Sequence, residues 1–366
     1  ESDVTLPSGT SVVDVSGKYI MPGLINAHGH VGATVGLNGN GGYSRDNLLR
    51  QLSLYARYGV TTVNSLGGDQ QQGFALRNEQ FGSELDRARI YVAGSVVVGD
   101  SEEAIRAEVN RNADMGADFI KVRIDDNLGA SQKMSRPFFE ALVDQAHQRR
   151  LPVAVHLYYL DDAKFMLRTN ADIIAHSVRD LPVDNEFINM MNESDTCYIP
   201  TLTREVSTYV YESVPAFFED PYFLKEVEPA IIEELSTPER MSRIAGARSA
   251  QIYKAQLPTA MDNVGTLHNE GIRIAMGTDT GPPARFQGYF EHMEMHMMVD
   301  AGMSPLDAIR ASTGTAADCI GMGDIGTLEP GKWGDFSILS DNPAVDIRNT
   351  HSIESVYIAG NLVPNE

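Results

Sequence analysis

The chain has 366 residues, of which 42% are hydrophobic and 22% charged, and its formal net charge is −21. Such a composition is typical of a globular protein large enough for one big domain, with or without a small second one. A surface this acidic repels phosphate groups, which argues against nucleic acids and anionic membranes as partners. The sequence has no apolar run of the roughly 18 residues that a transmembrane helix needs.

Two cysteines, Cys197 and Cys319, are too few for a disulfide framework, and we interpret each as a small buried apolar residue. The chain begins at Glu1 without a methionine, so we expect a processed or trimmed N-terminus. The compartment is therefore left open between the cytoplasm and the periplasm or cell exterior.

From the N-terminus onward, short β-like pieces in residues 1–20 are followed by alternating strands and helices. Eight apolar strand-like runs are predicted at 24–30, 60–63, 90–93, 118–124, 152–156, 172–176, 197–200 and 272–279. Helices are predicted at 46–58, 74–85, 101–115, 135–149 and 161–168, mainly through 201–270, and at 287–301 and 305–320. Eight strands that alternate with helices predict an α/β fold of the (β/α)8 TIM-barrel type.

The tail after residue 323 changes character, with strands predicted at 335–339 and 355–359 and a hairpin at 360–363. This small β unit has nothing to pack on unless the pieces of residues 1–20 join it. We therefore predict a discontinuous β-sandwich domain from residues 1–20 and 324–366, and a barrel domain from residues 21–323.

The first barrel strand ends in His28 and His30, two residues apart. Residues i and i+2 of a strand point to the same face, so the two imidazoles are expected side by side. Two converging imidazoles make half of a metal site. A Gly-rich loop at 32–42 follows and could cover such a site.

Later strands carry further polar residues where a barrel places its active-site face, namely Lys121, His156, His176 and Asp279. With the first pair, they bring four histidines, a lysine and an aspartate to one end of the barrel. A carboxylate beside metal-bound water can hold the nucleophile and take its proton, which suits Asp279.

Lys121 stands between apolar residues, and a buried lysine is costly as a cation. Three outcomes are open: pairing with a carboxylate, a Schiff base with a substrate, or reaction of the neutral amine with carbon dioxide to give a carbamate. A carbamate suits four neighbouring imidazoles best, because its two oxygens can bridge two metals.

The ordered set of these motifs resembles the amidohydrolase superfamily, in its prolidase-like and imidazolonepropionase-like branch. The resemblance covers nearly the whole chain and is carried by residues 22–30, 118–122, 156, 174–177, 277–279, 301–309 and 326–336. Members of this superfamily usually have several more strands before residue 12, so we expect the sandwich to lack some N-terminal strands.

The resemblance implies two divalent transition metals, most simply Zn²⁺. It implies that one is bound by His28, His30 and Asp279 and the other by His156 and His176. It also implies that carboxylated Lys121 bridges the two metals.

It further implies hydrolysis of an acyclic amide in a dipeptide, N-acyl amino acid, carbamate or urea. A hydroxide that bridges the metals is expected to attack the carbonyl, with Asp279 as proton acceptor and donor. We expect a homo-oligomer that acts on a small molecule.

Further candidates lie near the strand ends. Tyr158 could donate to the substrate carbonyl or its oxyanion. Arg179 and Arg204 could clamp a substrate carboxylate, although surface ion pairing is a more common role for arginine. His292 and His296 are four apart on a predicted helix, a spacing that can bind zinc, but we favour a substrate-pocket position for His292.

Two alternatives are kept. One is a one-metal deaminase or cyclic-amide hydrolase, for which Asp161 or Asp162 would supply the acidic residue after the fifth strand. The other is an inactive barrel that serves as a binding or assembly subunit.

Overall fold

A computed structural model describes residues 8–10 and 12–365 of the chain. The β pieces expected in residues 1–7 and at residue 11 lie outside this described part. Within it, none of the helices combines the length and the apolar character needed to cross a bilayer.

The described part alternates strands and helices as the sequence predicts. The strands are β1 (Tyr19–Pro22), β2 (Leu24–Gly29), β3 (Val60–Ser65), β4 (Arg89–Val92), β5 (Ile120–Arg123), β6 (Val153–His156), β7 (Ile173–Ala175), β8 (Cys197–Ile199), β9 (Phe336–Leu339), β10 (Ile353–Ile358) and β11 (Asn361–Leu362).

The helices before residue 200 are α1 (Arg45–Arg57), α2 (Gln71–Glu79), α3 (Glu102–Met115), α4 (Arg136–Gln148), α5 (Leu160–Arg168) and α6 (Asn185–Asn192). Those after it are α7 (Leu202–Tyr209), α8 (Pro221–Leu224), α9 (Pro229–Leu235), α10 (Pro238–Ala245), α11 (Arg248–Asn269), α12 (Tyr289–Asp300), α13 (Pro305–Ala311) and α14 (Gly314–Cys319). Three 3₁₀ helices occupy Val210–Glu212, Ala216–Glu219 and Ile347–Ser352.

Two parallel sheets form the centre of the molecule. One has the order β2-β3-β4 and the other β5-β6-β7-β8. The sheets are joined at one side, where Val97 forms a parallel bridge to Val122 and its N–H donates to the carbonyl of Lys121 at 2.8 Å. The strands are buried almost throughout, as expected for parallel sheets covered by helices.

The predicted strand at 272–279 is not a regular strand among the described residues. Its ends form single parallel bridges, Ile274 to Tyr198 in β8 and Thr280 to Gly29 in β2. The backbone turns at Asp279, which has a φ of +56°. A Cβ at Gly277 would lie 2.4 Å from Ile199 Cγ2, so the segment approaches β8 too closely for any other residue.

Strands from both chain ends build one antiparallel sheet of order β1-β9-β10-β11. Tyr19 of β1 pairs with Leu339 of β9. The sheet is attached to the parallel core by a buried ion pair between Arg89 at the start of β4 and Asp335 next to β9. A unit made from both ends of the chain is therefore present, as one sheet in the described residues.

The expectation of two unpaired cysteines is wrong. Cys197 of β8 and Cys319 at the end of α14 form a disulfide with their Cα atoms 5.8 Å apart. The two residues are 122 positions apart, so only the folded chain brings them together. A count of two cysteines does not predict such a bond, because pairing depends on tertiary distance.

Because a disulfide closes a long loop in the unfolded chain, its loss should destabilise the protein by about 2–5 kcal/mol. We expect Cys319→Ala to lower the free energy of unfolding by that amount, measured by urea unfolding. The double variant Cys197→Ala/Cys319→Ala should match the single variant, and dithiothreitol should shift only the wild type. An unchanged wild-type curve in reductant would contradict the bond.

Candidate metal centre

His28 is the last but one residue of β2, and His30 directly follows the strand. Both side chains face the interior. His28 is 1% exposed, and its Nδ1 is buried without a hydrogen-bond partner among the described residues. The Nδ1 of His30 lies 3.0 Å from the carbonyl oxygen of Gly67. A carbonyl can only accept, so Nδ1 carries a proton, and in the neutral ring Nε2 has a free lone pair.

That lone pair faces a carboxylate. His30 Nε2 lies 2.9 Å from Asp279 Oδ1, and His28 Nε2 lies 3.7 Å from the same oxygen. Ligand atoms of these three residues all lie within 4.8 Å of one another. Two imidazoles and a carboxylate with ligand atoms this close are a donor set that binds a divalent transition metal, so the arrangement fits a metal ion.

Asp279 is kept ionised by its neighbours. Burial alone would raise its pKa, but the guanidinium of Arg285 leads the groups that outweigh burial and hold the pKa well below its usual range. Arg285 forms an ion pair with Oδ2 of Asp279. The carboxylate is therefore an anion with one oxygen toward the imidazoles and the other toward a guanidinium.

Lys121 of β5 lies on the other side of His28, with Nζ 3.2 Å from His28 Nε2. Among the described residues, no carboxylate lies within 4.0 Å of this amine. Burial lowers the pKa of Lys121 to about 7. A large fraction of the amine is therefore neutral near neutral pH and can act as a nucleophile.

His156 and His176 complete the cluster from β6 and from the residue after β7. The ring centroids of these two histidines are 4.2 Å apart, and His176 is 4.7 Å from His28. His156 Nε2 lies 3.2 Å from Asp125 Oδ2, and His176 Nδ1 lies 2.7 Å from Thr201 Oγ1. The His176 ring is thus held through Nδ1, which leaves Nε2 free for a metal, and His156 lies beside a carboxylate that can orient it.

The buried imidazoles are uncharged. Burial lowers the pKa of His156 to about 3 and moves the pKa of His28 and His176 well below the ordinary value. Neutral imidazole is the form that binds metals. The structure thus brings together all six residues predicted as metal ligands.

Glu291 on α12 was not identified from the sequence, and it connects the segments that carry the first three candidate ligands. Its Oε1 accepts hydrogen bonds from Asn26 Nδ2 at 2.6 Å and from the hydroxyls of Thr278 and Thr280, each at 2.7 Å. Its Oε2 accepts from the N–H of Gly288 at 2.6 Å. Glu291 therefore positions both β2 and the Asp279 segment.

Glu294, one turn further along α12, acts in the same way on the other half of the cluster. It accepts from the N–H groups of Leu202 and Thr203 and from the Thr203 hydroxyl, each at 2.7 Å. These two residues follow Thr201, which is the partner of His176. Thr201 has a φ of +51°. A hydrogen-bond network around the carboxylate thus stabilises a strained turn next to a candidate ligand.

The predicted substrate residues differ in position. Tyr158 donates its hydroxyl to Gln256 and is 3% exposed. Arg179 is fully buried, with its Nε 3.1 Å from Glu205 Oε1. Arg204 also pairs with Glu205, at 3.0 Å, but its Nε lies 3.9 Å from Asp279 Oδ2. Arg204 is thus beside the cluster, whereas Arg179 is engaged in a buried ion pair.

His292 is fully buried and bonded away from the cluster. Its Nε2 lies 2.8 Å from the Tyr58 carbonyl and its Nδ1 2.9 Å from the Thr350 hydroxyl. These contacts join α12 to α1 and to the 3₁₀ helix before β10, so they favour a structural role over the predicted substrate contact. His296 lies beside His351, with ring centroids 5.0 Å apart.

Parallel sheets with imidazoles, a lysine and an aspartate at their strand ends define an α/β protein with a candidate metal centre. Residues 19–363 match the amidohydrolase family, so the chain belongs to this family of hydrolases. The resemblance inferred from the motifs is confirmed.

A curated relative with a named activity is the ochratoxinase of Aspergillus niger. It is 24% identical over 278 residues, which cover 73% of this chain and 50% of the relative. The chain spans about half the length of the curated relatives it matches.

Two solved structures have the same fold over almost the whole chain. A Xaa-Pro dipeptidase with bound methionine aligns with a TM-score of 0.77 and 20% identity, covering 99% of this chain and 91% of that one. A molinate hydrolase aligns with a TM-score of 0.76 and 18% identity, covering 99% and 86%.

Replacing Glu291 by Gln leaves one acceptor oxygen for four donors and points an NH₂ group at some of them. We expect the free energy of unfolding to fall by about 1–3 kcal/mol and the metal affinity to fall about tenfold or more. Chemical denaturation and competition with a chelator would measure these effects. The exposed Glu270→Gln is the matched control, and equal effects in both variants would contradict a positioning role.

Burial raises the pKa of Glu294 from 4.5 to about 7. A raised folded-state pKa contributes stability that is full below about pH 4.5 and is lost as the pH rises through about 7. The unfolding free energy of the wild type should therefore fall over this range relative to Glu294→Gln, which lacks the titration. Urea unfolding across that range in a chelating buffer measures the difference. A wild-type unfolding free energy that stays constant or rises with pH relative to that of Glu294→Gln would contradict the assignment.

Proposed function

We propose that the protein is a metal-dependent hydrolase of acyclic amide bonds. The observation that carries this proposal is the convergence of His28, His30 and Asp279, whose ligand atoms all lie within 4.8 Å of one another. Such a set fits a metal ion, and the other candidate ligands lie around it.

We further infer that residues 21–323 form a closed (β/α)8 barrel. The bridges Val97–Val122, Tyr198–Ile274 and Gly29–Thr280 support closure, because they link the two parallel sheets at both sides. In such a barrel the C-terminal strand ends form the active-site face, where the cluster lies. Residues 1–20 and 324–366 would form the small β domain.

Two divalent metals, for which zinc is our choice, fit the cluster. His28, His30 and Asp279 would hold one metal, and His156 and His176 the other. Lys121, carboxylated by carbon dioxide, would lie between them. When bound, such metals lower the pKa of water and polarise a carbonyl group.

The chain's own groups would supply the remaining steps. Asp279 accepts the proton of the attacking water and passes it to the leaving nitrogen. Arg285 favours the ionised carboxylate before attack. Tyr158 stays protonated, since burial raises its pKa to about 12. Its hydroxyl would have to leave Gln256 to donate to the oxygen of the reacting carbonyl.

Arg204 and Arg285 place two guanidinium groups beside Asp279, which favours a substrate with a carboxylate. Arg285 replaces Arg179 as the second candidate. Dipeptides and N-acyl amino acids carry such a group, whereas carbamates and ureas are a second class. The names Xaa-Pro dipeptidase, ochratoxinase and molinate hydrolase among similar proteins support a hydrolase of this range.

The one-metal alternative receives no support from Asp161 and Asp162. Asp161 is exposed, and Asp162 pairs with Lys133 at 2.7 Å.

The Cys197–Cys319 bond favours an oxidising compartment, so we propose the periplasm or the cell exterior. A homo-oligomer stays a prediction.

The test combines metal analysis of the purified protein with hydrolysis of N-acyl amino acids, dipeptides and carbamates. We expect two metals per chain, and Lys121→Ala should lose at least one of them together with about 10²-fold or more of kcat/KM. Carbon-13 NMR of protein exposed to labelled bicarbonate should show a carbamate signal that Lys121→Ala lacks.

The matched control is Lys254→Ala. The Lys254 side chain is 49% exposed and pairs with Glu212, which is not a candidate ligand. It should keep metal content, carbamate signal and activity. A Lys121→Ala protein with unchanged metal content and hydrolysis would overturn the binuclear centre, and metal-loaded protein without any hydrolysis would revive the inactive-barrel alternative.

A further inference from the structure

A cavity of about 200 Å³ lies directly beside His30. One wall is the Gly-rich loop and the other is the turn after Asp279. Its lining includes His30, Ala33, Gly39, Gly67, Gly281 and Pro283. The cavity therefore opens next to a candidate metal ligand and is separate from the arginines on the Asp279 side.

Its walls are rigid and built from small residues. A Cβ at Gly281 would lie 2.1 Å from the carbonyl oxygen of His30, and one at Gly39 would lie 3.2 Å from Pro283. Gly67 has a φ of +114°. The small side chains thus both permit the close backbone approach and leave the space empty.

The cavity also lacks a counter-ion for a cation. Among the described residues that line it, His30 is the one with an ionisable side chain, and its Nδ1 is bonded to the carbonyl of Gly67. An ammonium group placed here would lose water without gaining a carboxylate, which is costly.

The guanidinium groups contact the Asp279 carboxylate and do not line the cavity. Arg285 pairs with Asp279, and Arg204 Nε lies 3.9 Å from the same carboxylate. A substrate bound at the cluster would therefore have positive charge near Asp279 and an uncharged cavity beside His30.

We propose that the cavity beside His30 binds an uncharged apolar acyl group, so that the substrates are N-acyl amino acids and not dipeptides with a free amino terminus. This inference rests on the proposed amide hydrolysis and names the class of amide. An apolar cavity of about 150 Å³ holds a benzene ring, so this volume accommodates a phenyl-bearing acyl group.

Three compounds isolate the effect. N-(3-phenylpropanoyl)-L-leucine and L-phenylalanyl-L-leucine differ only in the α-ammonium group, and N-acetyl-L-leucine lacks the phenyl group. At about pH 7 the α-amino group is mostly protonated. We expect kcat/KM of the phenylpropanoyl compound to exceed that of the dipeptide on the order of 100-fold and that of the acetyl compound about tenfold.

Two variants at the cavity mouth, Ala33→Phe and Ala33→Asp, locate the effect. The first should reduce the phenylpropanoyl-to-acetyl ratio about tenfold by filling the space. The second should reduce the ratio of kcat/KM between the phenylpropanoyl compound and the dipeptide about tenfold, because it supplies a counter-charge for the ammonium group. Val345→Phe and Val345→Asp, at a residue that is 76% exposed, are the matched controls.

Equal turnover of dipeptide and acyl compound, or ratios that change alike in the Ala33 and Val345 variants, would overturn the proposal. Calorimetric dissociation constants of the same compounds keep the two proposals apart. Acyl-selective binding that weakens in Ala33→Phe, without any turnover, would support the cavity and overturn the proposed activity. Absent or unselective binding would overturn the cavity assignment.

Discussion

The fully buried carboxylate of Glu291 is the contact on which the geometry of the cluster depends. It joins Asn26 in β2 to Thr278 and Thr280 on either side of Asp279. His28 and His30 therefore hold a fixed position relative to Asp279, although some 250 residues separate the two segments. Burial raises the pKa of Glu291, so its donors have to compensate for the loss of water around the carboxylate.

Helix α12 extends this control to the second half of the cluster through Glu294. One helix thus contacts the start of α7, directly after Thr201, the partner of His176, and also the segments that carry His28 and Asp279. Displacing the helix would shift both groups of imidazoles together. The methionine-rich faces of α12, buried at Met295 and Met298, fix the helix in the core.

Much of the fold could be predicted from the sequence, because strand and helix signals were local. The helix of residues 101–115, for example, begins after Ser101, whose side chain accepts from the Ala104 N–H, and ends at left-handed Gly116. The apolar residues of the segment at 272–279 predict a strand. The close approach of Gly277 to Ile199 and the positive φ of Asp279 bend the segment instead.

The grouping of the candidate ligands could be predicted because they lie in or directly after segments with a strand pattern, which the fold itself brings together. The residues that orient them could not. Asp125, Thr201, Glu291 and Glu294 lie in ordinary helix and loop contexts, and their roles arise from tertiary contacts that no spacing encodes. Arg285 could not be predicted as the partner of Asp279 either, because the turn between the two residues brings them together. The Cys197–Cys319 bond was missed for the same reason.

The antiparallel sheet built from both chain ends has a consequence for synthesis on the ribosome. Strand β1 pairs with β9, and Lys18 next to β1 pairs with Glu354, 336 positions later. Strand β1 is made before β9 and lacks this partner until all the residues between the two strands have been made. Contacts of such sequence separation form slowly, and an unpaired strand edge promotes aggregation during that wait. Strand β1 is thus an exposed edge of the nascent chain during this time, and translation of β9 ends that period.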